Sequence, residues 1–541
     1  MLATALVLSA CGGGSGDDQG DGATLVTVGN GEPQNPLIPS MTNETFGSKV
    51  VSNIFSGLVY YDAEGVVHNE VAKSIESEDQ KVWNITLNEG WTFSDGTPVT
   101  AQSFVDAWNW GAYGPNATNL SYFFEPIDGF TDLQFAEDQL DKEGAPKEGE
   151  EPAEEAMKGL EVVSDTEFTV TLAQPETDFP VRLGYAAFFP LPESFFEDPE
   201  AFGEKPVGNG PYMLTDWQHD KSITIEPFAE YIGERKAQND GVEFIAYTDE
   251  DSQYNDLLDN NLDIVTNVPA SAFATFEDEL GDRAVNQPAA LTQVINVPEY
   301  VKDFEGEAGL LRRKAISMAI DRDAITSTVY NNTRTTASDF TNPIIGGWSE
   351  DVPGNEVLAY DPEEAKKLWD EAEEMDPVGE DFTLLIASNA DSDHQSWIDP
   401  ACNTIRQALE IECEFDAYPT FDEFLDARDN ETIKGLYRGG WQADYPSMSN
   451  YLGPIYGTNA GSNDMGYSNK EFDELLKKGN GAATVEEANE FYTQAETVLF
   501  EDMAGIPLWY YNVTAGFSEN VENVVFGWDS DPILYQVTLA E

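Results

Sequence analysis

A single carboxylate between aromatic residues is the feature of this sequence that most directly suggests ligand chemistry. Asp444 follows Trp441 and directly precedes Tyr445. A carboxylate walled in by aromatic rings loses hydrating water, and it then requires a cation or several hydrogen-bond donors. The alternative interpretation is a turn in which Asp444 accepts hydrogen bonds from nearby backbone amides.

Two consecutive glycines lie just before this carboxylate, within a predicted strand. The strand begins at Leu436, and Gly439 and Gly440 then remove two side chains in a row. Paired glycines in a strand are typical of a bulge or of a place where another backbone comes close. A bare strand edge beside an acid could therefore hold the main chain and the ammonium group of an extended peptide.

The composition indicates a large, folded and very acidic protein. The 541 residues exceed what one hydrophobic core serves, so we expect roughly two to four domains. With 27 basic and 101 acidic residues the formal charge is -74. This excludes nucleic acid as an expected partner, because binding phosphates needs clustered Lys and Arg. The acidity favours either attraction of cationic ligands or a solvated surface suited to a salty habitat.

No motif for catalysis or metal binding stands out in the sequence. His68, His219 and His394 lie far apart and belong to no metal-ligand pattern. Neither a phosphate-binding Gly-x-x-x-x-Gly-Lys-Ser/Thr loop nor a Gly-x-Ser-x-Gly nucleophile motif occurs. We therefore predict no enzymatic activity, no metal and no cofactor. An acidic hydrolase is the enzyme hypothesis that stays open, although no spacing singles out a carboxylate pair.

The first 23 residues resemble an export leader followed by a tether. Residues 1–10 form an apolar run that ends in small residues, as a signal peptide does. Residues 8–11 (Leu-Ser-Ala-Cys) resemble the lipobox of bacterial lipoproteins, in which cleavage precedes the cysteine. We therefore expect Cys11 to carry a diacylglycerol and residues 11–23 to be a flexible tether. A positively charged segment before the apolar run is missing, which leaves the true start codon open.

The other two cysteines, Cys402 and Cys413, form the only pair in the body of the chain. An even pair in an exported protein predicts a disulfide. A redox or metal-binding pair is the less favoured alternative, because the spacing is not Cys-x-x-Cys and no histidine lies near.

Local patterns predict several individual elements. We expect a strand over residues 83–87 and a helix over residues 48–58. Thr100 and Asp361 are suitable N-caps for the helices that follow them. A further helix is predicted to run as far as Arg322, because one inward face would carry the residues Leu311, Ala315, Met318 and Arg322.

Five motifs in this order resemble the extracytoplasmic peptide-binding proteins of ABC importers, bacterial solute-binding family 5. They are residues 93–101 (Phe-Ser-Asp-Gly-Thr-Pro-Val-Thr-Ala), 205–212 (Lys-Pro-Val-Gly-Asn-Gly-Pro-Tyr), 311–322, 360–368 and 439–445. The resemblance implies an α/β, periplasmic-binding-protein-like fold (type II, cluster C) with two lobes, a hinge and an extra domain. Asn209, at the position where the family usually has Thr, and Gln442 depart from the family pattern and leave the pocket specificity open.

The resemblance also implies how the chain divides into domains. Lobe I is expected to combine residues 24–44, 187–288 and 508–541. An extra domain attached to it would comprise residues 45–186, and lobe II residues 289–507. The chain would then cross between the lobes more than once.

The family's ligand site can be carried over residue by residue. The strands that bind the peptide main chain match Glu32, Pro33 and Gln34 and Gly439, Gly440, Trp441 and Gln442. Asp444 matches the acid that pairs with the peptide's α-ammonium group. Arg438 matches a basic residue that receives the carboxylate of shorter peptides, with a surface ion pair as the alternative. Trp441 and Tyr445 would wall the pocket, with core packing as the alternative.

The function implied is a substrate-binding lipoprotein of an ABC transporter. It would capture extended oligopeptides between its lobes and deliver them to the permease subunits, as a monomer held by its lipid at the outer face of the cell membrane. Two alternatives stay open. One is a receptor for an oligosaccharide or a metal chelate on the same fold, and the other is a signalling or adhesion lipoprotein that has lost transport.

Overall fold

The computed structural model describes residues 24–141, 145–147, 149–379 and 381–540. The predicted signal peptide, Cys11 and the tether lie outside these residues. None of the helices in these ranges combines the length and the apolar character that crossing a membrane requires.

Strands and helices alternate along the described chain. The strands are β1 (Val26–Asn30), β2 (Val59–Tyr61), β3 (Val67–Asn69), β4 (Ala72–Ser77), β5 (Val82–Leu87), β6 (Leu160–Ser164), β7 (Glu167–Thr171), β8 (Tyr212–Gln218), β9 (Ser222–Pro227), β10 (Val242–Ala246), β11 (Ile264–Val265), β12 (Ala284–Asn296), β13 (Arg334–Thr336), β14 (Thr383–Asn389), β15 (Glu412–Tyr418), β16 (Leu436–Gln442), β17 (Gly505–Phe517), β18 (Val521–Glu522) and β19 (Thr538–Leu539). The helices are α1 (Thr45–Ile54), α2 (Ala101–Ala112), α3 (Phe179–Arg182), α4 (Pro199–Glu204), α5 (Glu250–Leu258), α6 (Phe276–Leu280), α7 (Gly306–Met318), α8 (Arg322–Thr328), α9 (Pro362–Met375), α10 (Gln395–Leu409), α11 (Phe421–Asp429), α12 (Met448–Tyr456), α13 (Lys470–Asn480) and α14 (Val485–Asp502).

One mixed sheet runs through the molecule in the order β15-β14-β16-β12-β17-β11-β1-β10-β9-β8, and β13 pairs with β17 beside this path. A separate sheet in the order β4-β5-β7-β6 lies within the first third of the chain. Two large hydrophobic cores flank this arrangement. The first contains mainly residues 26–244 and 513–537, and the second mainly residues 290–509.

The long strands β12 and β17 pass from one core to the other. In β12, Ala289 packs in the first core and Ala290 in the second. In β17, Trp509 packs in the second core and Val513 in the first. The predicted lobe boundaries at 288/289 and 507/508 fall inside these two strands. The division into lobes with those boundaries stays a prediction.

Helix starts follow their capping residues. Thr100 precedes α2, and its backbone N donates to Ser103 Oγ at 3.2 Å. The Asp361 carboxylate accepts hydrogen bonds from two backbone amides of α9, at 3.2 Å and 3.0 Å. Both predictions are confirmed, because capping depends only on neighbouring residues.

The predicted helix over residues 48–58 is displaced towards the N-terminus. It begins at Thr45, because the Glu44 carboxylate accepts hydrogen bonds from Phe46 N at 2.8 Å and Gly47 N at 2.9 Å. It ends at Ile54, whose carbonyl accepts a hydrogen bond from Gly210 N at 2.9 Å. Sequence patterns near α1 could not reveal that distant partner.

The prediction of one continuous helix as far as Arg322 is wrong. Helix α7 ends at Met318, and the Asp321 carboxylate accepts from Ala324 N at 3.0 Å to start α8. Arg322 is nevertheless buried, and its guanidinium donates to the carbonyls of Pro507, Ser317 and Leu358.

The predicted disulfide is present and joins α10 to β15. Cys402 and Cys413 are bonded, with their Cα atoms 5.1 Å apart, and both lie in the second core. The bridge closes a short loop and so restricts the unfolded chain.

We expect reduction of this disulfide to lower the free energy of unfolding by about 3 kcal/mol, from the chain entropy of a short loop. Urea unfolding of the wild type with and without reductant measures the effect. The Cys402→Ala/Cys413→Ala variant is the control, because it has no bridge to reduce. An unfolding midpoint of the wild type that ignores reductant would contradict the prediction.

Candidate functional site

Residues of the predicted site line two cavities. One cavity, about 200 Å³, is lined by parts of α1, by residues 57–62, 184–189 and 527–535, and by Asp444. We call it the interlobe cavity, because Asp444 lies along the part of the chain that forms the second core, whereas the other lining residues lie along the parts that form the first. The β16 cavity, about 260 Å³, is lined by β16 and by residues of β12, α11 and α12. Trp441 lines the β16 cavity and Asp444 the interlobe cavity. The segment between them therefore connects the two spaces.

The Asp444 carboxylate is held by one side chain and keeps one oxygen open. Its Oδ2 accepts a hydrogen bond from Asn450 Nδ2 at 3.1 Å, and its backbone N donates to Asn450 Oδ1 at 2.9 Å. Asn450 Oδ1 also accepts from Trp441 Nε1 at 3.1 Å. No group in the described part of the chain donates to Asp444 Oδ1. The carboxylate is thus fixed in direction but incompletely satisfied.

Burial raises the pKa of Asp444 above the usual aspartate value, while the Asn450 hydrogen bond and the positive charge of Arg182 oppose this rise. The rings of Tyr122 and Tyr185 lie close by, and burial together with the Asp444 charge raises the pKa of both phenols. A carboxylate in this setting gains more from a cation than one in bulk water does, because less solvent screens the charge.

The nearest cation, Arg182, is already occupied. It is paired with Glu176, and its guanidinium carbon lies 4.9 Å from the centre of the Tyr445 ring. Tyr445 is only 3% exposed and packs in the first core. Tyr445 therefore packs in the core, as the alternative interpretation of this residue predicts, and it lines neither cavity.

Strand β16 presents a free edge beside this carboxylate. It pairs with β12 from Tyr437 to Gln442, but its other edge pairs with β14 only at Leu436 and Tyr437. A side chain at Gly439 would meet Asn296 Nδ2 at 2.5 Å. One at Gly440 would meet Thr292 O at 3.1 Å. The glycines therefore serve close packing against β12.

Arg438 lines the β16 cavity without an acidic partner. Its Nε is buried with no hydrogen-bond partner, and no acid of the described residues forms an ion pair with it. Burial lowers the pKa of His394 to about 4, and the positive charge of Arg438 adds to this effect. The surface ion pair considered for Arg438 is thus not found in the described part of the chain.

Residues 32–34 line neither of the two cavities. The Glu32 carboxylate accepts from Trp217 Nε1 at 3.2 Å and from Asp220 N at 2.9 Å, and it lies 2.8 Å from His219 Nδ1. Gln34 N donates to Glu44 Oε1 at 3.2 Å. The side chain of Glu32 thus ties its loop to the end of β8 and to the turn between β8 and β9. The carbonyl oxygens of residues 32–34 accept no hydrogen bond from the described residues.

Of the two departures from the family pattern, Asn209 lies away from the site. It is fully buried, and its side chain bonds both to Ser56 N and to Ser56 O at 3.0 Å. Gln442 is exposed at the end of β16 and pairs with Leu291. Asn209 therefore has a structural role.

A buried polar contact joins the segment before α3 to the start of α12, next to Asp444. Asp178 Oδ2 accepts from Ser447 Oγ at 2.6 Å and also from Ser449 Oγ. Thr177 N donates to Asn480 O at 2.8 Å. These bonds connect a segment packed with the first core to segments packed with the second.

Residues 66–463 match the family model of the bacterial extracellular solute-binding proteins, family 5. The chain belongs to this family. The resemblance predicted from the motifs is confirmed, and so is the two-lobed α/β fold class.

Relatives of this family-5 protein match over almost its full length. The oligopeptide-binding protein OppA of Bacillus subtilis is 24% identical over 547 residues, covering 97% of this chain and 95% of its own. The periplasmic oligopeptide-binding protein OppA of Salmonella typhimurium is 27% identical over 505 residues, covering 91% and 88%. The solved structure of the murein tripeptide binding protein MppA, in an unliganded open form, superposes with a TM-score of 0.80 at 20% identity, covering 95% and 97%.

The charged residues that line the interlobe cavity beside Asp444 were not predicted from the sequence. Lys49, Arg235, Asp529 and Asp531 line it together with Asp444. The run Asp-Ser-Asp between Trp528 and Pro532 was the available signal, but nothing local showed which part of the chain it faces.

We expect Ser447→Ala combined with Ser449→Ala to lower the free energy of unfolding by roughly 2–4 kcal/mol, because the buried Asp178 carboxylate loses its donors. Chemical denaturation measures this loss. Adding Asp178→Leu removes the stranded charge and should recover a large part of the stability. A double variant as stable as the wild type would contradict the prediction.

Proposed function

We propose that this family-5 protein is the substrate-binding component of an ABC importer. It captures extended oligopeptides between its lobes and delivers them to permease subunits in the membrane. The observation that carries the proposal is Asp444, a largely desolvated carboxylate with one unfilled oxygen at the wall of the interlobe cavity. An α-ammonium group supplies both the positive charge and the donors that this oxygen lacks.

The peptide main chain would lie along the free edge of β16. From Arg438 to Gln442 this edge has no partner strand in the described residues, so an extended peptide can add to it as a strand does. The carbonyls of Glu32, Pro33 and Gln34 are the second set of main-chain groups in the proposal. Bonding to the main chain is indifferent to peptide sequence.

Arg438 would receive the carboxylate of shorter peptides. Its buried, unpartnered Nε lines the β16 cavity, on the far side of Gly439 and Gly440 from Asp444. A ligand that binds both Asp444 and Arg438 must carry a positive group at one end and a negative group at the other. An extended short peptide has this arrangement. Trp441 would wall this path, and Tyr445 would pack next to Arg182 in the core beside it.

The proposal includes the cellular setting. Cys11 would carry the lipid that holds the protein at the outer face of the cell membrane, and the protein would act as a monomer. The names of the relatives, which are oligopeptide-binding proteins, support a peptide ligand over a sugar, a metal chelate or a non-transport role.

We expect Asp444→Asn to weaken binding of the tripeptide Ala-Ala-Ala at least tenfold, because a desolvated charge pair is lost. Isothermal titration calorimetry at neutral pH measures the affinity. The control is Asp165→Asn, which removes the same charge from an exposed position between β6 and β7 and should leave the affinity unchanged.

N-acetylated Ala-Ala-Ala completes a thermodynamic cycle with this variant. The blocked peptide should bind the wild type as weakly as the free peptide binds Asp444→Asn, and the two changes together should cost little more than either alone. Additive losses, or equal affinity of the wild type for blocked and free peptides, would show that Asp444 does not hold the ammonium group.

A further inference from the structure

The interlobe cavity has a polar wall that the α-ammonium contact does not use. Asp529 and Asp531 lie on a turn in which Gly527 N donates to Asp531 O at 2.8 Å and Asp531 N donates to Asp529 Oδ1 at 3.1 Å. Both carboxylates line the same cavity as Asp444. The turn therefore presents two acids to the space beside the proposed ammonium site.

A single lysine faces these acids and does not satisfy them. The Lys49 side chain is 6% exposed, and its Nζ donates to Thr266 Oγ1 at 2.9 Å while lying 3.9 Å from Asp531 Oδ1. Asp529 is exposed and forms no ion pair with any described residue, and among these residues the hydrogen bond to its side chain comes from Asp531 N. One buried cation is thus shared by a wall with two carboxylates.

The other charged groups of the cavity are already paired. Arg235 donates to both oxygens of Glu70, at 2.8 Å and 2.9 Å, and Asp62 Oδ2 lies 2.7 Å from His68 Nε2. Among the remaining charged groups of the cavity, the single positive charge of Lys49 stands against three carboxylates, those of Asp444, Asp529 and Asp531. Consistent with this, burial raises the pKa of Asp531 to about 7 despite Lys49, and the Asp529 charge adds to the rise.

Part of the cavity wall is aromatic. Its rings belong to Tyr60, Tyr61, Tyr185, Phe189 and Trp528. Tyr61 and Trp528 pack edge to face with their centres 5.3 Å apart. A cavity lined by both aromatic rings and carboxylates suits a side chain with an aliphatic stem and a cationic tip, because the stem is buried while the tip keeps its charge.

We propose that the interlobe cavity receives the side chain of the peptide's first residue and selects lysine or arginine there. This inference rests on the proposed function, because Asp444 must hold the α-ammonium group for the first side chain to point into the cavity. The side-chain cation would bind at Asp529 and Asp531, balancing the charge that Lys49 leaves. The protein would thus prefer peptides with a basic first residue.

The decisive comparison, Lys-Ala-Ala with Ala-Ala-Lys, uses two peptides of equal net charge, so that attraction to the acidic protein as a whole cancels. Calorimetry on the wild type should show Lys-Ala-Ala binding at least tenfold more tightly than Ala-Ala-Lys, and also more tightly than norleucine-Ala-Ala, which keeps the stem without the ammonium group. Asp529→Asn should reduce the ratio of the Lys-Ala-Ala to Ala-Ala-Lys affinities at least fivefold. Asp165→Asn, with the same change in net charge, should leave the ratio as in the wild type.

Each other outcome has a distinct meaning. Equal affinities of the wild type for the three peptides, or a lysine advantage that persists in Asp529→Asn, would overturn the inference while leaving peptide binding intact. The wild-type comparison decides even if the variant fails to fold. The diamine 1,4-diaminobutane binding as tightly as Lys-Ala-Ala would overturn the assignment to a peptide side chain. Failure of all three peptides to bind would overturn the proposed function itself.

Discussion

The interruption in the pairing of β12 with β17 is the constraint on which the rest of the site depends. The register shifts between Pro288 and Thr292, where the strands pass from one hydrophobic core to the other. Buried carbonyls freed from a sheet need other donors. Ala290 O accepts from Ala443 N at 2.9 Å and from Tyr451 Oη at 2.8 Å. The residue that precedes Asp444 is therefore tied to the crossing point, so a rotation of one core about these strands would move the carboxylate relative to the opposite wall.

The electrostatics of the site follow from this placement. Asp444 is brought into the cavity between the cores, where burial raises its pKa, and Asn450 fixes its direction. Among the described residues no ion pair neutralises Asp444, because Arg182 is paired with Glu176 and lies over the Tyr445 ring. The charge of the Asp444 carboxylate can therefore interact with a cation of the ligand. Closure around such a ligand would be favoured by contacts that only the closed arrangement makes.

Local chemistry made some features predictable from sequence. The caps at Thr100 and Asp361, the disulfide and the family motifs depend on neighbouring residues or on short spacings. Features that combine distant segments escaped prediction. Glu32 bonds Trp217 and Asp220, and α1 ends against Gly210, because folding brings those partners together. The break between α7 and α8 could have been predicted locally, because Asp321 is a suitable N-cap for α8. The apolar spacing from Leu311 to Arg322 led instead to the prediction of one continuous helix.

The residues proposed to select the ligand could likewise be predicted only where they are contiguous in the sequence. The motif around Asp444 could be recognised because it is contiguous, whereas the wall opposite joins Lys49 near one end of the chain to Asp529 and Asp531 near the other. The excess of negative charge in this cavity can be recognised only once the structure shows that Arg235 is paired with Glu70 and Asp62 with His68.

Native mass spectrometry of the protein, purified without refolding, tests the central claim most directly. The account predicts a family of adducts with peptide masses on the wild type, strongly reduced in Asp444→Asn. A single discrete adduct of non-peptide mass, or a protein that stays empty after addition of a peptide mixture, would contradict it.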